Sequence, residues 1–412
     1  MSQTRRSVIG PVLIVLALGA AGAAAQTAPG PAPQPVDIRV HVASGGGFVS
    51  DLSLADFALA EDGRPQALRS LTLIRNGQIL RRQGTDVMVT APPRSFTLLF
   101  QLNDWDPNLS KAVSYLFGSV LRPGDQMTLV TPFKPYRLQS DALSLKSKEE
   151  LSKAMEETVR KDILRGNGEY RNLVSELARL SRAIGGATGV SGAREDIESD
   201  PTDDADSGFG LETQIDRYRG DLMRMEGIRL VDEAKLLSFA ASLKAVPGQK
   251  TVILFYQREF RPEISPAAMN RLMSLYQDNP QILANLMDLF QLFKRERTFD
   301  ADAVKKAFAG AGIDFHFIFM EKKSQRVFGA NMHEQSEDTY PGFVEIAGAT
   351  GGTSASSTNP AAALKAAAAV STDYYLLTYM PDAAPGPGFR RVTIQVKRPG
   401  CQVSSPSGYF RD

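Results

Sequence analysis

The chain has 412 residues, 43% apolar and 23% charged, with a formal net charge of +1. That length holds a sizeable core, arranged as one large domain with a smaller one or as two to three domains. The balanced charge argues against a nucleic-acid partner, and the lone Cys401 rules out an intramolecular disulfide.

Residues 1–25 read as a signal peptide. Arg5 and Arg6 precede an apolar stretch from Val8 to Ala20, and Ala23-Ala24-Ala25 offers a small-residue cleavage site. The run is too short and too rich in Gly and Ala for a stable membrane span, so a secreted or periplasmic protein is expected. The Arg pair also admits a twin-Arg export route. A Pro/Ala/Gly linker over 26–35 leads into a β-rich module over 36–90. There Val36 to Val42 alternates apolar and polar residues, Asp62-Gly63 marks a hairpin, and Leu68 to Ile74 forms a further strand.

An α/β domain is expected over 91–380. Phe96 to Phe100 is an apolar strand, Met127 to Thr131 a second, Thr251 to Tyr256 a third and Ile313 to Met320 a fourth. Continuous apolar runs of this kind suit parallel strands covered on both faces. Helical insertions are read at 143–244 and 266–297, with an acidic, Gly-rich loop at 185–210 that lacks the apolar residues of a packed segment. Tyr374 to Tyr379 reads as the closing strand of this domain, and 381–412 as C-terminal β strands that pair with the N-terminal module. Alternating strands and helices predict a doubly wound parallel sheet.

Several separated stretches resemble the secreted von Willebrand factor A-like proteins of bacteria. They are Asp56 to Gly63, Pro123 to Thr131, Pro247 to Phe255, Ala347-Gly348-Ala349-Thr350-Gly351-Gly352 and Tyr374 to Pro381, followed by Phe389 to Val392 and Lys397 to Gly400. The resemblance implies a Rossmann-like domain that binds partners, usually through a metal-ion-dependent adhesion site. That site takes Asp-x-Ser-x-Ser after the first strand and an acid after the fourth, an oxygen set suited to Mg²⁺. Here the first turn is Gln101-Leu102-Asn103-Asp104-Trp105-Asp106-Pro107-Asn108, without Ser-x-Ser, and Thr251 to Tyr256, which resembles the family's fourth strand, runs into Gln257-Arg258, without an acid. The site is degenerate.

The expected function is therefore non-enzymatic protein binding through Asn103, Asp104, Trp105, Asp106, Gln257 and Arg258, with no cofactor. The alternative is a metal-dependent adhesion protein in which Asp104, Asp106 and Asn108 hold Mg²⁺ or Ca²⁺ in a rearranged site. The same short polar side chains also serve a helix N-terminus. A secreted hydrolase is the third reading, but no nucleophile elbow or phosphate loop is present. His41, His316 and His333 are too scattered in sequence to suggest a zinc site.

Overall fold

The computed structural model describes residues 34–411 apart from 86–89, 140, 187–203, 230, 297, 325–329 and 383–386. The expected signal peptide and most of the linker and of the acidic loop lie outside the described residues. The protein is a mixed α/β structure. Its central sheet contains, in spatial order, the parallel strands Ser354–Ser357, Ile313–Met320, Gln249–Gln257, Arg94–Gln101 and Gln126–Val130. Pro135–Leu138 adds to the last of these in the antiparallel sense.

Pleating sorts the two faces of this sheet. Phe96, Leu98 and Phe100 turn towards the helices Asn108–Tyr115, Lys148–Gly166 and Pro360–Thr372. Val252, Leu254, Phe315, Phe317 and Phe319 turn the other way, onto Glu233–Lys244, Ala301–Gly310 and Tyr340–Ala349. Each such buried side chain contributes about 1.5–3 kcal/mol. From Arg94–Gln101 the chain travels outward to Gln126–Val130 and Pro135–Leu138, then returns to Gln249–Gln257 on the opposite side. The strand order therefore reverses between Arg94–Gln101 and Gln249–Gln257. Open α/β sheets form a crevice at the carboxyl ends of such a pair.

The expected insertions are narrower than their sequence bounds. Lys148–Gly166 and Glu233–Lys244 cover the sheet itself, because their apolar faces match its two surfaces. Only Gly168–Gly186, Asp204–Arg229, Pro266–Leu275 and Pro280–Phe293 share a separate helical core, with Tyr218, Leu177, Leu272 and Leu286 fully enclosed. Of the loop expected at 185–210, residues 187–203 lie outside the described residues; helix reaches Gly186 and resumes at Asp204.

The strand Asp373–Tyr379 does not close the α/β sheet. It lies between Val36–Ser44 and Leu68–Arg75, pairing antiparallel with both. Val40, Tyr375, Leu377 and Leu71 face Phe57, Leu59, Val392 and Ile394 of a second sheet, forming a β sandwich from both chain ends. The boundary read at 380 thus moves to the start of this strand. Two positive-φ pairs make its tight turns: Asp62-Gly63 joins Phe57–Glu61 to Arg64–Gln66, and Asn76-Gly77 joins Leu68–Arg75 to Gln78–Gly84.

Candidate functional site

The Arg94–Gln101 strand delivers the loop 102–107 to the carboxyl edge of the sheet, where two amide side chains clamp it. Gln257, at the end of the neighbouring strand, presents Oε1 to the backbone N–H of Asn103 at 3.0 Å and of Asp104 at 2.9 Å. From the other flank, Asn167 Nδ2 donates to the carbonyl of Leu102 at 2.6 Å and to that of Ile163 at 2.9 Å. Asn167 sits in the junction between two long helices, where Gly166 is required because a Cβ would lie 2.7 Å from the Pro132 backbone. The clamp holds the loop at the reversal point.

This arrangement divides the six residues expected to touch a partner. Asn103 and Gln257 are 5% and 4% exposed, so they support the loop and offer little to a partner. Asp104, Trp105, Asp106 and Arg258 are partly exposed. Trp105 packs one part of its ring system against the core beneath the loop. Arg258 pairs through Nε with Glu334 at 3.1 Å, and its guanidinium lies 5.4 Å from the Phe319 ring centroid. Its charge is already engaged.

The three oxygen-bearing side chains weighed as metal ligands have other partners. Asp104 forms an ion pair with Lys322, two residues beyond the end of Ile313–Met320. Asp106 Oδ1 accepts the backbone N–H of Asn108 at 2.8 Å, and the Asp106 carbonyl accepts that of Leu109 at 3.0 Å, which starts the helix. Asn108 reaches the carbonyl of Thr358 at 3.4 Å. Among the described residues no group of three His, Cys, Asp or Glu side chains is arranged to hold a metal ion. Lys322 escaped the sequence reading, since nothing in its local pattern connects it to Asp104.

No known family, curated protein or solved structure matches this chain. The residues themselves must therefore carry the chemistry.

A Ser–His pair does exist away from this loop. His316 Nε2 lies 2.9 Å from Ser371 Oγ, while His316 Nδ1 accepts the backbone N–H of Thr353 at 3.1 Å. That second bond places the ring proton on Nε2, so the imidazole donates to Ser371 and cannot take its proton. The ring is fully enclosed, and burial lowers its pKa to about 3. Nearby Asp314, also buried, is raised to about 6 by desolvation, although Arg39 of the sandwich donates to its Oδ1 at 2.6 Å. This network joins the sandwich to the sheet. It is sealed against a substrate.

His333 lies in the strand Asn331–Glu334, paired with Phe260–Glu263, and its Nδ1 is 4.0 Å from Glu263. The polar composition of both strands concealed this ladder from period-based reading. Next to it a cavity of about 750 Å³ opens between the separate helical core and the helices Ala301–Gly310 and Tyr340–Ala349. Among the described residues no helix is long and apolar enough to cross a membrane.

Proposed function

We propose that the protein is a von Willebrand factor A-like interaction module, exported from the cell, that binds a protein partner through its carboxyl-edge loop without catalysis. The observation that carries this reading is the clamped loop at the strand reversal. Gln257 and Asn167 fix the backbone of 102–104, while Asp104, Trp105 and Asp106 stay partly exposed. Pre-organised backbone lowers the entropic cost of docking, and a half-exposed Trp is a favoured anchor in protein interfaces. A parallel central sheet covered by helices on both faces supports the Rossmann-like fold that the resemblance implies.

Binding is proposed to be independent of metal. The Lys322 ammonium supplies a positive charge at Asp104, where an ion would otherwise be needed. The test uses the full chain immobilised in parallel with a Trp105→Ala/Asp106→Ala variant whose fold is checked by circular dichroism. Extracellular or periplasmic fractions are passed over both, with and without a chelator. A partner retained by the parent chain in chelator and lost by the variant supports the proposal. Equal retention by both proteins overturns the assigned face, and retention abolished by chelator overturns metal independence.

A further inference from the structure

The hairpin of Gln126–Val130 and Pro135–Leu138 turns at the carboxyl edge of the central sheet, and its turn carries Pro132 and Phe133. Phe133 is 51% exposed there. The helix Lys148–Gly166 ends against the same turn, since a Cβ on Gly166 would lie 2.7 Å from the Pro132 backbone. Its last turn presents Leu164, which is 54% exposed. Single exposed apolar residues need no explanation, but here two large ones end neighbouring elements beside Pro132 and Pro135.

The turn is rigid. The Thr131 N–H donates to the Lys134 carbonyl at 3.2 Å, and Thr131 Oγ1 accepts the Lys134 N–H at 3.1 Å. The same hydroxyl donates to Asp162 Oδ2 at 2.8 Å, and Asp162 is buried within the helix packing. Phe133 therefore sits on a turn tied to the helix, so little conformational freedom is lost when it docks.

The charge around this apolar tip is positive. Lys134, Arg160, Lys161 and Arg165 are all exposed, and from Glu157 to its end the helix holds two acids, Glu157 and the buried Asp162. Arg160 and Leu164 are four residues apart, as are Lys161 and Arg165, so these cations share the helix face that carries Leu164. The Arg165 guanidinium lies 6.0 Å from the Phe133 ring centroid, and Lys134 Nζ lies 4.9 Å from that of Tyr136. Arg160 and Lys161 have no ion-pair partner among the described residues. The partial negative charge of the helix end is offset by Arg171, which donates to the Leu164 carbonyl. The whole chain carries only +1, so this positive face is a local feature.

We infer that this tip docks on an anionic phospholipid bilayer, with Phe133 and Leu164 entering the interface and the cations at headgroup level. Each Lys or Arg near such a surface adds attraction, and their long stems keep the charged heads in water while apolar side chains go deeper. An acidic protein segment is the rival occupant. It would call for cations fixed to meet individual carboxylates, whereas Arg160 and Lys161 stand unengaged, as suits a diffuse negative surface. The docking is peripheral and reversible, because two side chains supply far less than a membrane-crossing helix.

The experiment is flotation with vesicles of the chain lacking residues 1–25, the form proposed to be exported, which retains every described residue. One vesicle is phosphatidylcholine alone, and the other is equal parts phosphatidylcholine and phosphatidylglycerol. Binding to the mixed vesicle, weakening with salt, and little binding to the neutral one are expected. Phe133→Ser/Leu164→Ser changes exposed groups only and should weaken binding by about tenfold. Arg160→Gln/Lys161→Gln should weaken it by about tenfold as well. Circular dichroism checks that both variants fold. Neither variant alters the loop 102–107, so the result is separate from the partner proposed for that loop. Equal binding to the two vesicles, no binding to either, or unchanged binding in either variant would overturn the assignment. A chain that ignores the mixed vesicle and binds a Glu/Phe peptide instead would overturn it in favour of a protein partner.

Discussion

The side-chain oxygen of Gln257 holds the backbone N–H of Asp104 at 2.9 Å, so one strand end fixes the loop carried by its neighbour. The same oxygen accepts the N–H of Asn103, a residue that is 5% exposed. Gln257→Ala removes the acceptor for both. Leaving buried donors unpaired costs about 1–3 kcal/mol in total, and denaturant unfolding should read a loss of that size. Gln257→Glu keeps an acceptor oxygen and should lose less. Equal losses in the two variants would show that the clamp does not depend on the acceptor.

The sealed network between sandwich and sheet predicts an opposed pair of pH effects. His316 has its pKa lowered to about 3 from the ordinary 6.5, so the unfolded chain takes up a proton first and stability falls as pH drops below about 6.5. Asp314 is raised to about 6 from 3.8, so between those values the folded chain retains a proton that the unfolded chain releases. Stability from Asp314 therefore increases as pH falls from 6 to 3.8. The two proton differences cancel in that window, leaving His316 alone above it.

His316→Gln should leave the Asp314 effect uncompensated, so stability should rise as pH falls from 6 to 4, where the parent chain stays flat. Asp314→Asn should leave the His316 effect uncompensated, so stability should fall with pH below 6, by a slope approaching about 1.4 kcal/mol per pH unit for one proton. Chemical denaturation at a series of pH values measures both slopes. His41, also lowered by burial, remains in every variant and drops out of the differences. Parallel curves for all three proteins would remove the network from the pH response.

The run Thr350-Gly351-Gly352 has a steric explanation. Thr350 Oγ1 accepts the N–H of Phe315 at 3.1 Å and donates to the carbonyl of Ile346 at 2.9 Å, bonding helix to strand. Gly351 has φ +78°, and a Cβ on Gly352 would lie 1.8 Å from the Phe315 carbonyl oxygen. Gly352→Ala cannot be accommodated without moving a central strand, so its cost should exceed about 3 kcal/mol and appear as insoluble or unfolded protein. Thr350→Ala should cost about 1–3 kcal/mol by leaving a buried donor unpaired. A soluble Gly352→Ala protein with parent-like unfolding would contradict this packing.

Local patterns made some of these elements readable and left others hidden. Thr251 to Tyr256 is an unbroken apolar run, and its burial on both faces follows from that alone. Asn76-Gly77 is as strong a hairpin signal as Asp62-Gly63, and it turns the chain into the polar edge strand Gln78–Gly84, whose composition alone marks no strand. Pairing of Val36 with Tyr379 depends on contacts more than 300 residues apart, which no local period encodes. At the loop, the types and positions of Asn103 to Asp106 were visible. Their division into buried and partly exposed members was not, because it depends on Gln257 and Asn167 arriving from distant segments.

The Lys322–Asp104 pair gives the metal question a direct test. Both side chains are partly exposed, at 28% and 48%, so the pair should contribute less than about 1 kcal/mol and Lys322→Ala should unfold much like the parent. With the ammonium in place, Mg²⁺, Mn²⁺ or Ca²⁺ in the millimolar range should leave the thermal midpoint of the parent chain unchanged. A ligand at 100 times its Kd would instead add about 2.7 kcal/mol. A clear metal-dependent rise that disappears in Asp104→Ala/Asp106→Ala would show that the ion displaces Lys322 and that the loop binds through metal. If the rise is seen only in Lys322→Ala, the lysine is what keeps the ion out.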